Sequence, residues 1–287
     1  MHRAWLLVIV LVAGYGEGHA ARPHLEVATW NLEWFDSGPR GPGGQYGKRP
    51  WPTAYQTIAQ ILRGQGPFAG EPDLEVVGLE EITDARYVET LLRFLPGWQY
   101  LVLPARAGSQ RCALLWDGAE VRVQALPPLT LVTGKRQAFH ARLAAGALAF
   151  DYVVCHLQSG ASREDRGTRE AQCRALAQWL HGQPRTSPPT DSDVLIGGDL
   201  NAEADEAALQ PLLSDPWLVW CFAGWSQLPP TRPSSGRTID HLFYTPALRP
   251  RVAGATVMQS AYQRLGEAQY RRLVSDHLPV MVSLYTD

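Results

Sequence analysis

The stretch Gly197-Gly198-Asp199-Leu200-Asn201 follows an apolar run at residues 194–196. An apolar run that ends at a polar residue predicts a buried strand whose end lies at a cleft. The polar side chain would be costly to bury without partners. Ligands gather at strand ends in layered α/β proteins. The same pairing recurs at Thr29-Trp30-Asn31, Gly78-Leu79-Glu80-Glu81, Val154-Cys155-His156, Ile239-Asp240-His241 and Ser275-Asp276-His277-Leu278-Pro279.

Strand patterns alternate with a few helical ones along the chain, and no stretch has the composition of an interdomain linker. This predicts one α/β domain over residues 21–287, with its sheets buried under helices. Strands are expected at 24–31, 74–79, 99–103, 112–116, 121–126, 139–143, 149–156, 194–198, 240–244, 255–258 and 279–285, and helices at 53–63, 85–95, 163–181 and 206–213.

The N-terminus has the pattern of a signal peptide covering residues 1–20. Arg3 precedes an apolar run at residues 5–13 that is too short to span a bilayer, and Gly18-His19-Ala20 is a plausible cleavage site. An uncleaved anchor is the alternative. We expect a secreted or periplasmic protein without stable membrane association after processing.

Composition leaves several function classes open. The net charge of −2 gives no overall basic footprint for nucleic acid. It does not exclude a nuclease, because a bound cation can supply positive charge at a phosphate. Export makes disulfides possible, and the 4 cysteines match no zinc-binding spacing.

One cysteine pair follows from strand geometry. Alternate side chains of a strand face opposite ways, so Cys155 points away from the cleft if His156 points into it. The next helix returns over that outer face, and Cys173 lies on its apolar stripe. A Cys155–Cys173 disulfide and two small buried thiols are both compatible with this arrangement.

The strand-end residues indicate a functional site only when they are considered together. A single asparagine or aspartate there is more often a cap or turn residue. Together they combine carboxylates, amides and histidines without a cysteine cluster. Oxygen ligands without thiolates suit a hard cation such as Mg²⁺. Histidines beside carboxylates suit proton transfer near neutral pH.

The full series of motifs, read in order, resembles the deoxyribonuclease I-like endonuclease/exonuclease/phosphatase family. Gly-Asp-Leu-Asn and Ser-Asp-His-Leu-Pro are its most discriminating members, and the series spans residues 28–281. The resemblance implies a four-layer α/β/β/α sandwich, in which two packed mixed sheets are flanked by helices. It places the active site at one edge of the two sheets.

The resemblance also implies a metal site. Asn31 and Glu81 match metal-site positions, and Glu81 is the best single ligand. Asp276 stands where the family often has a further metal-linked carboxylate. The expected ion is Mg²⁺, with Mn²⁺ as the other candidate.

Five further residues carry the expected chemistry. Asp199 and Asn201 match the pair that orients the attacking water and holds the phosphate. His156 matches the first histidine of the family, a phosphate contact or general acid. His277 matches the second histidine, with Asp240 as its orienting partner. Either His277 or Asp199 takes the proton from water, and the sequence leaves this choice open.

Some positions depart from the family pattern. Glu80 stands where a glutamine usually precedes the metal glutamate, and it either perturbs the site or points away. No acid occurs at residues 109–111 to pair with His156, which puts its acid role in doubt and makes Arg111 a candidate phosphate contact. Glu33 is a candidate supporting carboxylate.

A nuclease acting on DNA or RNA is the favoured function, with nucleic acid as the partner and a monomer as the expected state. A phosphatase or a sphingomyelinase-type phospholipase is the alternative, and a non-catalytic binding module is a remote one. The motif Trp-Cys-Asp-Arg, typical of inositol phosphatases, is absent. A Gly-rich loop at 37–52 and its flanks carry aromatic and basic side chains that could stack on bases and bind phosphates. The alternative is a loop whose charges are only solvated. The residues are Trp34, Arg40, Tyr46, Lys48, Arg49 and Trp51.

Overall fold

A computed structural model describes residues 24–35, 49–104, 110–132, 136–182 and 193–287. The segment assigned to a signal peptide, 1–20, lies outside them, and the export prediction stays a prediction. The strands are β1 His24–Phe35, β2 Val76–Ile82, β3 Trp98–Val102, β4 Arg111–Asp117, β5 Arg122–Ala125, β6 Leu129–Thr130, β7 Gln137–Ala145, β8 Leu148–His156, β9 Val194–Asp199, β10 Val219–Trp220, β11 Asp240–Tyr244, β12 Val252–Val257 and β13 Val280–Tyr285. The helices are α1 Thr53–Leu62, α2 Ala85–Leu92, α3 Arg163–His181, α4 Gln210–Leu213, α5 Ser260–Leu265 and α6 Glu267–Leu273.

The strands form two mixed sheets. The first has the order β12-β13-β1-β2-β4-β3, and β1 is parallel to β2 and antiparallel to β13. The second has the order β10-β11-β9-β8-β7-β5, with β6 also paired to β7. β8 and β9 are parallel, and β11 is antiparallel to β9. The carboxyl ends of β1, β2, β8 and β9 and the start of β11 therefore meet at one edge.

Two hydrophobic clusters define the layers. The larger one fills the space between the sheets and extends to α1 and α2, through residues such as Ile58 and Leu91. The smaller one joins the other face of the second sheet to α3 and α4, through residues such as Leu176 and Leu212. The order is therefore helices, sheet, sheet, helices, and the four-layer α/β/β/α sandwich is confirmed.

Strand β8 shows the alternation that the sequence predicts. Tyr152 and Val154 face the other sheet, whereas Val153 and Cys155 face α3, where Cys173 lies in the same cluster. Cys155 therefore faces α3, as the strand pattern predicts. The disulfide is not formed, and Cys155 and Cys173 are free, buried thiols. They pack as small apolar groups, and burial raises the pKa of Cys173 to about 12.

Two glycines let other groups approach closely just below the cleft. A Cβ atom on Gly78 would lie 2.6 Å from Cγ2 of Val154, and one on Gly197 would lie 3.2 Å from the Tyr152 hydroxyl. That hydroxyl crosses between the sheets and donates to the carbonyl of Ala28 at 2.9 Å. The close approach holds the ends of β1, β2, β8 and β9 within side-chain reach of one another.

The structure adds elements that the sequence patterns did not predict. Helices α5 and α6 occupy a stretch without a clear apolar period, and Gly266, with φ 74°, separates them. Strand β1 continues to Phe35 and so passes through Asn31 instead of ending there. No helix among the described residues is long and apolar enough to cross a membrane.

Candidate active site

The strand edge described above brings together the residues that the sequence singled out. The first sheet supplies Asn31 from β1 and Glu81 from β2. The second supplies His156 from β8, Asp199 from β9 and Asp240 from β11. Asn201, Asp276 and His277 lie in the connections after β9 and before β13. Apart from Glu81 and Asn201, which are partly exposed, these side chains are buried.

Glu81 owes its position to an irregular strand. The register of β2 against β4 shifts between Leu79 and Ile82, and Glu81 has a left-handed φ of 62°. Such backbone strain is retained where a side chain must be aimed. Oε2 of Glu81 accepts the Trp34 amide at 2.8 Å, and Oε1 lies 3.2 Å from Nδ2 of Asn31.

Asp199 is held from both sides of the cleft. Its Oδ2 accepts from Nδ2 of Asn31 at 2.9 Å, and its Oδ1 accepts from the backbone amide of Asn201 at 2.9 Å. Asn201 has φ 55° and donates through its side chain to the Leu157 carbonyl at 3.2 Å. Burial, followed by the charge of Asp240, raises the pKa of Asp199 to about 7.

Two groups of possible ligand atoms share Asp199. Glu81, His156 and Asp199 form one, and Asp199, Asp240 and His277 form the other; within each group the atoms lie within 4.8 Å of one another. The oxygens of Glu81 and Asp199, with Asn31 beside them, fit a hard divalent cation. Burial also raises the pKa of Glu81.

His277 and Asp240 form a buried pair. Nδ1 of His277 lies 2.9 Å from Oδ2 and 3.1 Å from Oδ1 of Asp240, and Thr231 donates to Oδ2 at 2.6 Å. Burial alone would lower the pKa of His277, but the charge of Asp240 and its hydrogen bond raise it well above the ordinary value. The predicted orienting role of Asp240 therefore has the required geometry.

His156 differs from His277 in having no acid that orients it. Its Nε2 lies 3.6 Å from Glu81 and 3.7 Å from Asp199, and its buried Nδ1 has no hydrogen-bond partner among the residues that the structure describes. Burial and the charge of Arg136 lower its pKa well below the ordinary value. A neutral His156 can donate one hydrogen bond to a phosphate oxygen but holds no proton to give as a strong acid.

Asp276, predicted as a metal-linked residue, lies outside both ligand groups. Its Oδ2 accepts from Nε and Nη2 of Arg232 at 2.8 and 2.7 Å. Glu33, the candidate supporting carboxylate, pairs with Arg271 at 3.2 Å and also lies outside the groups. The two groups of possible ligand atoms thus include Glu81 and Asp199 but neither Asp276 nor Glu33.

Two arginines have other partners than the sequence suggested. Arg111 donates through Nη2 to the Thr83 carbonyl at 2.8 Å, and its role as a phosphate contact stays a prediction. Arg49, considered for phosphate binding, is buried and donates to the backbone carbonyls of Leu32, Glu33 and Val274. Arg40, Tyr46 and Lys48 lie outside the described residues.

Arg136 is a site residue that the sequence reading missed. It donates to the Leu157 carbonyl at 3.2 Å and to Oε1 of Gln110 at 2.5 Å, and its charge acts on both Glu81 and His156. Gln110 belongs to the stretch that lacks an acid. The only available signal was a basic residue directly before the apolar pattern of β7.

Glu80 points away from the cleft, as one of the two expectations had it. It is fully buried and its Oε1 accepts from the Thr29 hydroxyl at 2.5 Å. Burial raises its pKa well above the ordinary value. The extra carboxyl is therefore a neutral group beneath the site and adds no charge to it.

A sandwich of two sheets with buried carboxylates and an Asp–His pair at the strand ends defines a hydrolase of phosphate esters. The sequence matches the Endonuclease/Exonuclease/phosphatase family over residues 28–277, and the chain belongs to that family. Family members are metal-dependent hydrolytic phosphoesterases.

Solved structures share the fold at low sequence identity. The human nocturnin catalytic domain with bound sulfate is 20% identical, with a TM-score of 0.65, over 92% of this chain and 95% of that one. A mannosyl-6-phosphatase of Bacteroides thetaiotaomicron is 15% identical, with a TM-score of 0.64, over 91% and 99%. TDP2 of D. rerio, in complex with a single-strand DNA product, is 14% identical, with a TM-score of 0.64, over 91% and 98%. No curated protein matches the sequence significantly.

Proposed function

We propose that the protein is an exported, Mg²⁺-dependent phosphodiesterase that hydrolyses the phosphodiester bonds of DNA or RNA. The observation that carries this is the shared position of Asp199. This carboxylate belongs both to the group with Glu81 and to the group with the Asp240–His277 pair. Asp199 thus lies both beside the candidate cation site and beside the residues proposed for proton transfer.

The chain's own residues provide most of the reaction. Asp199, fixed by Asn31 and Asn201, accepts the proton of the attacking water. His277, kept charged by Asp240, stabilises the negative charge that builds up on the phosphate. His156 donates a further hydrogen bond through Nε2. A Mg²⁺ ion bound at Glu81 and Asp199, beside Asn31, would draw charge from a phosphate oxygen and stabilise the leaving oxygen.

Nucleic acid is the favoured substrate for two reasons. TDP2, a structural neighbour, is seen with a single-strand DNA product. Arginines also stand close to the acidic centre, with Arg232 on Asp276 and Arg136 beside His156. Export follows from the signal-peptide pattern of residues 1–20 and fits degradation of nucleic acid outside the cell.

The test incubates the purified protein with supercoiled plasmid, linear DNA, RNA and sphingomyelin, with Mg²⁺ or with EDTA. Cleavage of a nucleic acid that needs the cation and disappears in His277→Ala supports the proposal. Release of phosphocholine, or of inorganic phosphate from small phosphate esters, without cleavage of any nucleic acid would replace it with the phospholipase or phosphatase alternative.

A further inference from the structure

Both carboxylate oxygens of Asp276 lie near basic side chains. Oδ2 accepts two nitrogens of Arg232, and Oδ1 lies 3.7 Å from Nε2 of His277. The carboxylate is buried and lies outside both groups of possible ligand atoms. The Arg232 guanidinium, a charge-assisted partner, occupies Oδ2, so a cation could reach this carboxylate only through Oδ1, on the side of His277.

Arg232 keeps part of its guanidinium free at the cleft. Its Nη1 has no hydrogen-bond partner among the residues that the structure describes, and its side chain is 37% exposed. Burial lowers the pKa of this arginine, but the charges of Asp276, Asp199 and Glu33 raise it overall, which shows that it lies within the field of the site. An arginine in this setting presents a fixed fork to an anion.

The backbone that carries Arg232 is fixed to the catalytic pair. The preceding residue, Thr231, donates its hydroxyl to Asp240 at 2.6 Å and accepts the Leu278 amide at 2.7 Å. The amide of Arg232 donates to the carbonyl of Arg237 at 2.9 Å. The guanidinium is therefore held in place by Asp276 and by its own backbone before any ligand arrives, which lowers the entropy lost on binding.

We propose that Arg232 binds an oxygen of the substrate's phosphate, and that Asp276 holds Arg232 in place instead of binding the cation. This rests on the phosphoesterase function proposed above and names a contact with its substrate. Arg232 supplies the positive charge that a second cation would bring to this side of the site.

The first test measures binding without turnover, so that its outcome is independent of which substrate is cleaved. Calorimetry gives the affinity for Mn²⁺, and then the affinity of the Mn²⁺-loaded protein for inorganic phosphate. Arg232→Ala should weaken phosphate binding by about 10- to 100-fold, the loss of a hydrogen bond to a charged group. Its affinity for Mn²⁺ should stay within about 3-fold of the wild type, since no predicted ligand is lost.

Three further variants complete the test. Arg237→Ala is the matched control, because Arg237 lies in the same connection but pairs with Glu203 and Glu206, and it should leave phosphate binding unchanged. Arg232→Lys should restore part of the phosphate affinity, as it keeps the charge without the fork. Asp276→Asn should weaken phosphate binding and spare Mn²⁺ binding.

The proposal is overturned if Asp276→Asn weakens Mn²⁺ binding by about 10-fold or more, the effect expected for loss of a metal-site contact. It is also overturned if Arg232→Ala binds phosphate like the wild type. Thermal melts of each variant identify any that has lost its fold, and Arg232→Lys then decides the matter. Nuclease assays that fail while these results hold would overturn only the substrate assignment.

Discussion

Glu80 and Glu81 are neighbours in the chain, but their carboxyl groups lie in different surroundings. Glu80 is buried between the sheets and accepts from Thr29, whereas Glu81 reaches Asn31 and the amide of Trp34 at the cleft. The bulge in β2 and the left-handed backbone of Glu81 separate the two. One of two adjacent acids thus lies in the core and the other faces the candidate cation site.

This separation predicts opposite results for two isosteric substitutions. Glu81→Gln should weaken Mn²⁺ binding by at least about 10- to 100-fold, because it removes a charged oxygen ligand. Glu80→Gln should leave Mn²⁺ binding and kcat within about 3-fold of the wild type, because a buried neutral acid is replaced by a neutral amide. Calorimetry with Mn²⁺ checks both, and equal losses in the two variants would contradict the assignment.

The Asp240–His277 pair predicts a large catalytic effect from a change of one atom. Asp240→Asn should lower kcat by roughly 10³- to 10⁴-fold, the effect of removing the carboxylate from comparable Asp–His pairs. Thr231→Val should have a smaller effect, since it removes only one hydrogen bond to Asp240. Rates on one cleavable substrate across pH 5 to 9 measure this, and a kcat close to the wild type in Asp240→Asn would exclude the role.

The carboxyl end of strand β9 depends on a glycine. Gly198 has φ 148°, and a Cβ atom there would lie 1.8 Å from the carbonyl oxygen of Cys155. Gly198→Ala should lower the free energy of unfolding by more than about 2 kcal/mol, through strain and overpacking. Gly254→Ala is the control, because its Cβ meets nothing within 4 Å, and urea unfolding should show a change below about 0.5 kcal/mol.

A partly buried acid outside the site predicts a pH dependence of stability. Burial raises the pKa of Glu75 from 4.5 to about 7, so in the folded protein it holds a proton that the unfolded chain has released. Its stabilising contribution is therefore complete below pH 4.5 and is lost as the pH rises to 7.

Glu75→Gln should remove this dependence. The variant should match the wild type near pH 4 and exceed its free energy of unfolding at pH 8 by roughly 2 kcal/mol, a value reduced for partial exposure of the side chain. Urea unfolding at both pH values measures the difference. A variant less stable than the wild type at pH 8 would show that the folded protein stabilises the Glu75 carboxylate, contrary to a raised pKa.

The residues that could be predicted from the sequence lie at the ends of regular strands. Asp199 ends one apolar run and His277 precedes another, and strand geometry brings such ends to one edge. The positions of Arg136 and Arg232 could not be predicted, because they depend on how connections between strands fold over the site. Asp276 lies next to His277, but it pairs with Arg232 and lies outside both groups of possible ligand atoms.

The pairing of His24 with Tyr285 has a consequence for biosynthesis. Strand β1, which carries Asn31, has β13 as one of its two neighbours, so β1 lacks a partner on that side until the segment around β13 has been synthesised. His277 belongs to the same late segment. A nascent chain that reaches only β12 therefore lacks the Asp240–His277 pair, and the proposed phosphoesterase activity should have to wait for the synthesis and folding of that segment.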